Sequence, residues 1–165
     1  MPIVNGLLQE LEQEAQTTRR VLERVPDDKL GWKPHEKART LGELAMHVAT
    51  VPGNIAELAS RSPVQVQNVP EVSPTNASEL IPAMDQSVAK AKRVLGGMDD
   101  AALHATWTLM NGERQILALP RGAFLRTVML NHWYHHRGQL STYLRALGQP
   151  VPSIYGPSAD ENPFA

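Results

Sequence analysis

Apolar residues recur along most of this chain at spacings of three, four and seven positions, which is the period of an amphipathic helix. The pattern predicts helices over residues 5–25, 41–60, 78–95 and 123–147. Polar and proline-containing segments separate them, so each helix would bury one apolar stripe against its neighbours. The pattern therefore predicts an all-α fold of four long helices in a single domain, residues 1–165.

The second predicted helix has a clear start and an internal disturbance. Thr40 and Glu43 have the spacing of a capping box, in which each side chain binds the backbone N–H of the other residue. The pair Pro52-Gly53 lies inside the same helix and predicts a kink or an interruption, because proline cannot donate the helical hydrogen bond. Ser78 is the predicted cap of the third helix.

Two other segments carry turn or loop patterns. Residues 61–77 contain several prolines and predict a loop that is long enough to cover or shape a site. The valines at its start, from Val64 onwards, equally fit a short extended piece. Residues 106–117 predict a small β-hairpin before the last helix, because Asn111-Gly112 lies between two β-prone runs.

The C-terminal segment is rich in proline and glycine, which excludes regular structure over most of its length. It nevertheless keeps Ile154 and Tyr155. We therefore expect this segment to dock back on the helices.

Composition narrows the class of protein. The chain has 165 residues, an apolar fraction of 42% and a net charge of −1. Without a basic excess, a nucleic-acid partner held through its phosphates is not expected. No apolar run approaches the length of a membrane span, and no secretory signal is visible, so we expect a cytoplasmic protein with no membrane partner.

The chain contains no cysteine. Disulfides, zinc–thiolate sites and a cysteine nucleophile are therefore excluded. A metal would be held by nitrogen and oxygen ligands, and thiol chemistry would need a thiol brought by a cofactor or substrate.

The clearest chemical motif is a pair of histidines in the last predicted helix. His132 and His136 are four residues apart, which places both rings on one face, where they could share a metal ion. They lie within the apolar stripe of that helix, whereas His135 falls on a mostly polar stripe and is predicted at the rim or surface. His47 lies on the apolar side of the second helix, where it is either a third ligand or a core histidine with one hydrogen bond.

Further residues near the histidine pair are weaker candidates. Tyr134, Arg137 and Tyr155 are predicted second-layer or substrate contacts, although a salt bridge is an equal explanation for Arg137. His35 and His104 fall in connecting segments and are expected to be solvated.

Several motifs together resemble the DinB/YfiT-like superfamily of metal-binding four-helix-bundle proteins, which is distinct from the DNA polymerase of the same name. The motifs are residues 31–34 (GWKP), residues 40–47 (TLGELAMH), residues 132–140 and the tail at 151–158. The similarity extends over nearly the whole chain. Members carry three metal-binding histidines, which correspond here to His47, His132 and His136.

The resemblance implies an up-down four-helix bundle with a long connection between the second and third helices. It also implies a divalent metal, usually zinc or nickel, and a homodimer in many relatives. Relatives of known activity are often S-transferases that use a low-molecular-weight thiol, or a thiol-dependent isomerase. Three histidines leave a coordination position open for water or a substrate, as in catalytic sites.

We therefore expect a metal-dependent enzyme acting on a small-molecule substrate, of the thiol-dependent S-transferase kind. One alternative is a metal-dependent hydrolase. The other is a non-catalytic dimeric stress-response or binding module whose metal is structural.

Overall fold

The computed structural model describes residues 2–164. Its longer helices are α1 (Ile3–Leu22), α2 (Leu41–Ala59) and α3 (Leu80–Gly96). A short helix α4 (Asp100–His104) precedes a sheet, and a final helical run consists of α5 (Arg121–Phe124), a π-helical stretch (Leu125–Asn131) and α6 (His132–Ala146). The strands are β1 (Val64–Gln65), β2 (Thr106–Asn111) and β3 (Arg114–Pro120).

The predicted capping box fixes the start of α2. The backbone N–H of Glu43 donates to Thr40 Oγ1 at 3.2 Å, and the backbone N–H of Thr40 donates to Glu43 Oε2 at 2.7 Å. Two donors that a helix start leaves unpaired are thus satisfied. Glu43 is used as a cap, and this fixes the first turn of the helix that carries His47.

The interruption expected at Pro52 does not occur, because other elements satisfy the groups that the proline leaves unpaired. Helix α2 continues through Pro52 to Ala59. A proline removes the N–H that would bind the carbonyl four residues earlier, here that of Val48. Trp133 Nε1 donates to this carbonyl at 2.8 Å instead.

The residue after the proline fixes α2 against α3. The backbone N–H of Gly53 donates to Ser87 Oγ at 2.8 Å, and the same hydroxyl donates to the carbonyl of Thr50 at 3.0 Å. A Cβ at Gly53 would lie 2.7 Å from the backbone oxygen of Ser87. Only glycine permits this close approach of the two helices.

The third helix begins differently from the prediction. Ser78 is not the cap; instead Asn76 and Glu79 form a reciprocal capping box around the turn Ala77–Glu79 that leads into α3. Glu79 Oε1 accepts from the backbone N–H of Asn76 at 3.2 Å. Asn76 has a glutamate three residues later, at Glu79, that can complete a capping box, whereas the residue three positions after Ser78 is apolar.

The all-α prediction is correct only in part, since the molecule is mostly helical but contains a three-stranded sheet. The predicted hairpin is confirmed as the antiparallel pair β2–β3, with Gly112 in its turn at a φ of 58°. The segment predicted as a loop supplies β1, which pairs parallel to β2. The alternative of a short extended piece from Val64 onwards is thus the correct one for Val64–Gln65, and two residues show too little alternation for the sequence to decide between loop and strand.

The last predicted helix is one continuous helical run, but its middle is not α-helical. Its middle, Leu125–Asn131, is π-helical and ends where His132 begins α6. A π-helical insertion is rare and is often found next to a functional site. The apolar spacing of the sequence does not reveal the π-helical stretch. Leu125 and Met129, which lie within it, are both buried, as the spacing of an ordinary α-helix would also predict.

The tail docks on α1, as predicted. The backbone N–H of Ser153 donates to Glu161 Oε2 at 3.0 Å, while Arg24 contacts the other carboxylate oxygen at 3.1 Å. Arg20 of α1 donates to the carbonyl of Ser153 at 3.1 Å. The carboxylate of Glu161 thus joins the C-terminal segment to the first helix.

The core lies between α2 and its neighbours α3 and α6, with α1 packed on α3. Fully buried side chains from all these helices meet there, including Leu11, Leu44, Leu80, Met84, Met129, Trp133 and Leu140.

Within residues 2–164, no helix combines the length and apolar character needed to cross a membrane.

Candidate metal centre

Three histidines from two helices meet at one point. His47 of α2 and His132 and His136 of α6 each offer a ring nitrogen, and these atoms lie within 4.8 Å of one another. Nε2 of His132 is 2.6 Å from Nε2 of His136 and 3.4 Å from Nε2 of His47. The structure therefore brings the three predicted histidines together as one group that is compatible with metal binding, and His47 is not isolated in the core.

Two helix features produce this meeting. The i,i+4 spacing places His132 and His136 one turn apart on α6, with ring centroids 4.5 Å apart. The hydrogen bond from Trp133 to the carbonyl of Val48 fixes the neighbour of His132 against the neighbour of His47. The facing registers of α2 and α6 are therefore set within one residue of the histidines.

A second partner orients one of the rings. Nδ1 of His136 lies 2.7 Å from Oε1 of Gln139. When Nδ1 of His136 carries the proton and donates to Gln139, Nε2 has a free lone pair directed at the other histidines. This arrangement is typical of metal-binding imidazoles, whose second nitrogen is held by a carbonyl or a carboxylate.

The environment keeps the rings neutral. Burial lowers the pKa of His47 to about 4, and the nearby His136 adds to the effect. Burial likewise lowers the pKa of His136 to about 4, although the hydrogen bond that its ring donates to Gln139 acts in the opposite direction. The pKa of His132 is also lowered, mainly by burial. At neutral pH all three imidazoles therefore have a lone pair to give, which metal binding requires.

The donor set fits a divalent transition metal. At a zinc–nitrogen bond of about 2.0–2.1 Å, two ligands of a tetrahedral ion lie about 3.3 Å apart. The 3.4 Å between His47 and His132 matches this spacing. The 2.6 Å between His132 and His136 requires the two rings to part by a fraction of an ångström.

Two cavities flank the histidine group. One, of about 180 Å³, is lined by His47 with Arg39 and Glu71, and the other, of about 400 Å³, is lined by His136 with the same two residues. Arg39 donates from Nε and Nη2 to Oε1 of Glu71, at 2.9 and 2.6 Å. Glu71 belongs to the loop predicted to cover a site, and the loop does lie beside His47.

Arg39, Glu71 and Gln139 were not predicted from the sequence. Gln139 could have been found, since it is three residues after His136 and therefore shares its helix face. Arg39 and Glu71 are 32 residues apart and meet only through the fold of the loop.

The residues predicted as second-layer or substrate contacts have other partners. Arg137 is buried and forms an ion pair with Glu14 of α1 at 2.6 Å, and it also binds the hydroxyl of Tyr155. The hydroxyl of Tyr134 donates to Glu10 of α1 at 2.9 Å. These three side chains join α6 and the tail to α1, so the salt-bridge explanation of Arg137 is the correct one.

The remaining histidines have the predicted exposure, although His104 ends helix α4 and does not lie in a connecting segment. His135 is exposed, with its ring centroid 5.0 Å from that of His136, and therefore lies at the rim. His35 and His104 are also exposed.

The sequence matches the DinB family over residues 1–163. The chain belongs to the DinB family. Among curated proteins it is similar to the uncharacterized protein YrdA of Bacillus subtilis, with 28% identity, covering 96% of this chain and 91% of that protein.

Solved DinB-like structures have the same fold. A DinB-like protein from Bacillus cereus superposes with a TM-score of 0.71 at 26% identity, covering 93% of this chain and 98% of that one. A DinB-like protein from Bacillus subtilis gives 0.69 at 20% identity, covering 90% and 96% of the two chains. A putative member of the family from Exiguobacterium sibiricum gives 0.60 at 21%, covering 93% and 97%. The resemblance predicted from the motifs is therefore confirmed.

Proposed function

We propose that this DinB-family protein binds one divalent metal ion, zinc or nickel, through His47, His132 and His136, and uses it for thiol-dependent S-transfer to a small-molecule substrate. The observation that carries the proposal is the convergence of three neutral ring nitrogens within 4.8 Å, next to two cavities. A closed structural site would have four protein ligands, whereas three leave a position for an incoming molecule.

The chain's own residues prepare this position. Gln139 directs Nε2 of His136 inward, and burial keeps the rings unprotonated at neutral pH. When bound, a divalent ion would supply the positive charge that favours the thiolate form of an incoming thiol. In the transfer, the thiol proton leaves to solvent, the sulfur–carbon bond forms, and the leaving group departs with its electron pair.

The absence of cysteine is consistent with this proposal. The protein has no thiol of its own to compete for the ion or to be alkylated by the electrophile. All the thiol reactivity would therefore come from the bound substrate.

The test uses protein loaded with zinc or nickel, a panel of low-molecular-weight thiols and a chromogenic alkylating electrophile. We expect turnover that needs both metal and thiol, that disappears in H136A, and that persists in H135A, which changes an exposed histidine of the same helix. Turnover without thiol would indicate the metal-dependent hydrolase instead. Absence of metal-dependent turnover with every thiol would contradict the proposed transfer.

A non-catalytic role is favoured by one observation, namely that the ligands come from two different helices. An ion held by His47 and the α6 histidines would cross-link α2 and α6 and stabilise the fold. In this alternative the protein is a dimeric binding or stress-response module. It predicts that removing metal lowers the melting temperature while no reaction depends on it, and that size-exclusion chromatography with light scattering detects a dimer.

A further inference from the structure

Within the part of the chain that the structure describes, Arg39 is the only arginine that lines both cavities at the histidines. Its backbone is fixed, because Tyr143 donates a hydrogen bond to its carbonyl at 3.3 Å and the next residue, Thr40, caps α2. The backbone of Arg39 is therefore fixed beside the site, and its side chain lines both cavities.

The partner of Arg39 is held less firmly. Glu71 lies in residues 66–74, which have no regular secondary structure, and its side chain is 43% exposed. Exposed ion pairs of this kind contribute little to stability, so breaking one costs little. A ligand could displace the Glu71 carboxylate without disturbing the helices.

The geometry of the pair leaves room for a better partner. Nε and Nη2 of Arg39 both bind the same oxygen of Glu71. A guanidinium binds a carboxylate most strongly when two nitrogens contact two different oxygens. A carboxylate that is free to orient itself can make this paired contact, which Glu71 does not make.

We infer that Arg39 recognises a carboxylate group of the molecule that reaches the histidine group, and that Glu71 takes the place of this carboxylate in the ligand-free protein. The inference names the substrate class of the proposed metal centre and so depends on the proposed function for its biological meaning. Its test does not depend on metal, because it measures the binding of a carboxylate to metal-free protein.

The test measures the affinity of metal-free protein for glutarate and for its uncharged diamide, glutaramide, by NMR titration. Wild-type protein should prefer glutarate. In E71Q the competing carboxylate is gone, and glutarate should bind roughly two- to fivefold more tightly, which is the range that an exposed ion pair allows. In R39Q the preference for glutarate over glutaramide should disappear, and R39K, which keeps the charge but loses the planar fork, should lie between.

The matched control is E57Q, since Glu57 forms a similarly exposed ion pair with Lys90 away from the histidines. This variant changes the net charge by the same amount as E71Q and should bind glutarate like the wild type. Equal affinity for the two probes in E71Q, or a preference for glutarate that survives in R39Q, would overturn the inference.

Metal uptake by the same variants separates this inference from the proposed function. If E71Q and R39Q bind metal but show no glutarate effect, the carboxylate inference alone fails. If the glutarate effect is present but the wild type takes up no metal, the proposed metal chemistry fails and Arg39 remains an anion-binding residue.

Discussion

Trp133 Nε1 donates a 2.8 Å hydrogen bond to the carbonyl of Val48, which is the carbonyl that Pro52 deprives of its helical donor. Val48 follows His47 in α2, and Trp133 follows His132 in α6. One buried hydrogen bond therefore satisfies a defect in α2 and also sets the position of one histidine against the other. Pro52 thus leaves a carbonyl of α2 free to accept a hydrogen bond from α6 beside the histidines.

The first prediction concerns this hydrogen bond. W133F should lower the free energy of unfolding by about 1–3 kcal/mol, because the Val48 carbonyl loses its buried donor. It should also weaken metal binding, since α6 is no longer fixed beside His47. Urea unfolding and a metal-competition titration measure the two effects.

W107F is the matched control for that prediction. Trp107 Nε1 also donates to a backbone carbonyl, that of Leu58, at 3.2 Å. This second tryptophan lies in β2 rather than beside the histidines, so W107F should reduce stability without changing metal affinity. Equal metal affinity in W133F and W107F would mean that the Val48 contact does not position the site.

The second prediction concerns the orientation of His136. Q139A removes the group that accepts from Nδ1 and should weaken metal binding by about 10- to 100-fold. Gln139 is exposed, so the melting temperature of the metal-free protein should change little. T142A, another exposed polar change on α6, serves as the control; a metal affinity in Q139A equal to that of T142A would rule out the orienting role.

The third prediction is the pH dependence of the metal-free protein. The pKa values of His47 and His136 are lowered to about 4 in the folded state from an ordinary value near 6.5. As the pH falls from about 6.5 towards 4, the unfolded chain therefore takes up protons that the folded chain does not, and stability decreases.

This pH effect is measured by urea unfolding between pH 7 and 4. The loss of stability should be smaller in H47N and H136N, which cannot take up the proton, and unchanged in H35N, which alters an exposed histidine. A loss of the same size in H136N and the wild type would show that these rings do not titrate as described.

The fourth prediction separates the Arg137 network from the metal centre. R137M leaves the carboxylate of Glu14 buried without its partner and should destabilise the protein by about 3–5 kcal/mol. The double variant R137M/E14L should recover part of this loss, while metal binding per folded molecule stays constant. Metal loss in R137M without destabilisation would instead place Arg137 in the site.

Much of the fold followed from local patterns in the sequence. The capping box at Thr40 and the turn at Gly112 depend on residues that are close in sequence, and both were predictable. The strand β1 was left open because two residues carry no period, and the π-helical segment before His132 was missed because it preserves the buried stripe. Short or irregular elements depend on their neighbours rather than on their own sequence.

The residues of the candidate site also differ in whether local sequence could predict them. His132 and His136 were predictable from helical spacing alone, and His47 gained its role from the family resemblance. Arg39 and Glu71 could not be paired in advance, because their contact depends on the course of an irregular loop. Tyr134 and Arg137 were placed near the metal by sequence proximity, but they project from α6 towards α1.

Elemental analysis of protein purified without nickel resin tests the central claim most directly. We predict about one zinc or nickel ion per chain in the wild type and in H135A, and loss of the ion in H47A, H132A and H136A. A wild-type protein that takes up no divalent ion, or an H136A protein that retains it fully, would contradict the proposed three-histidine centre.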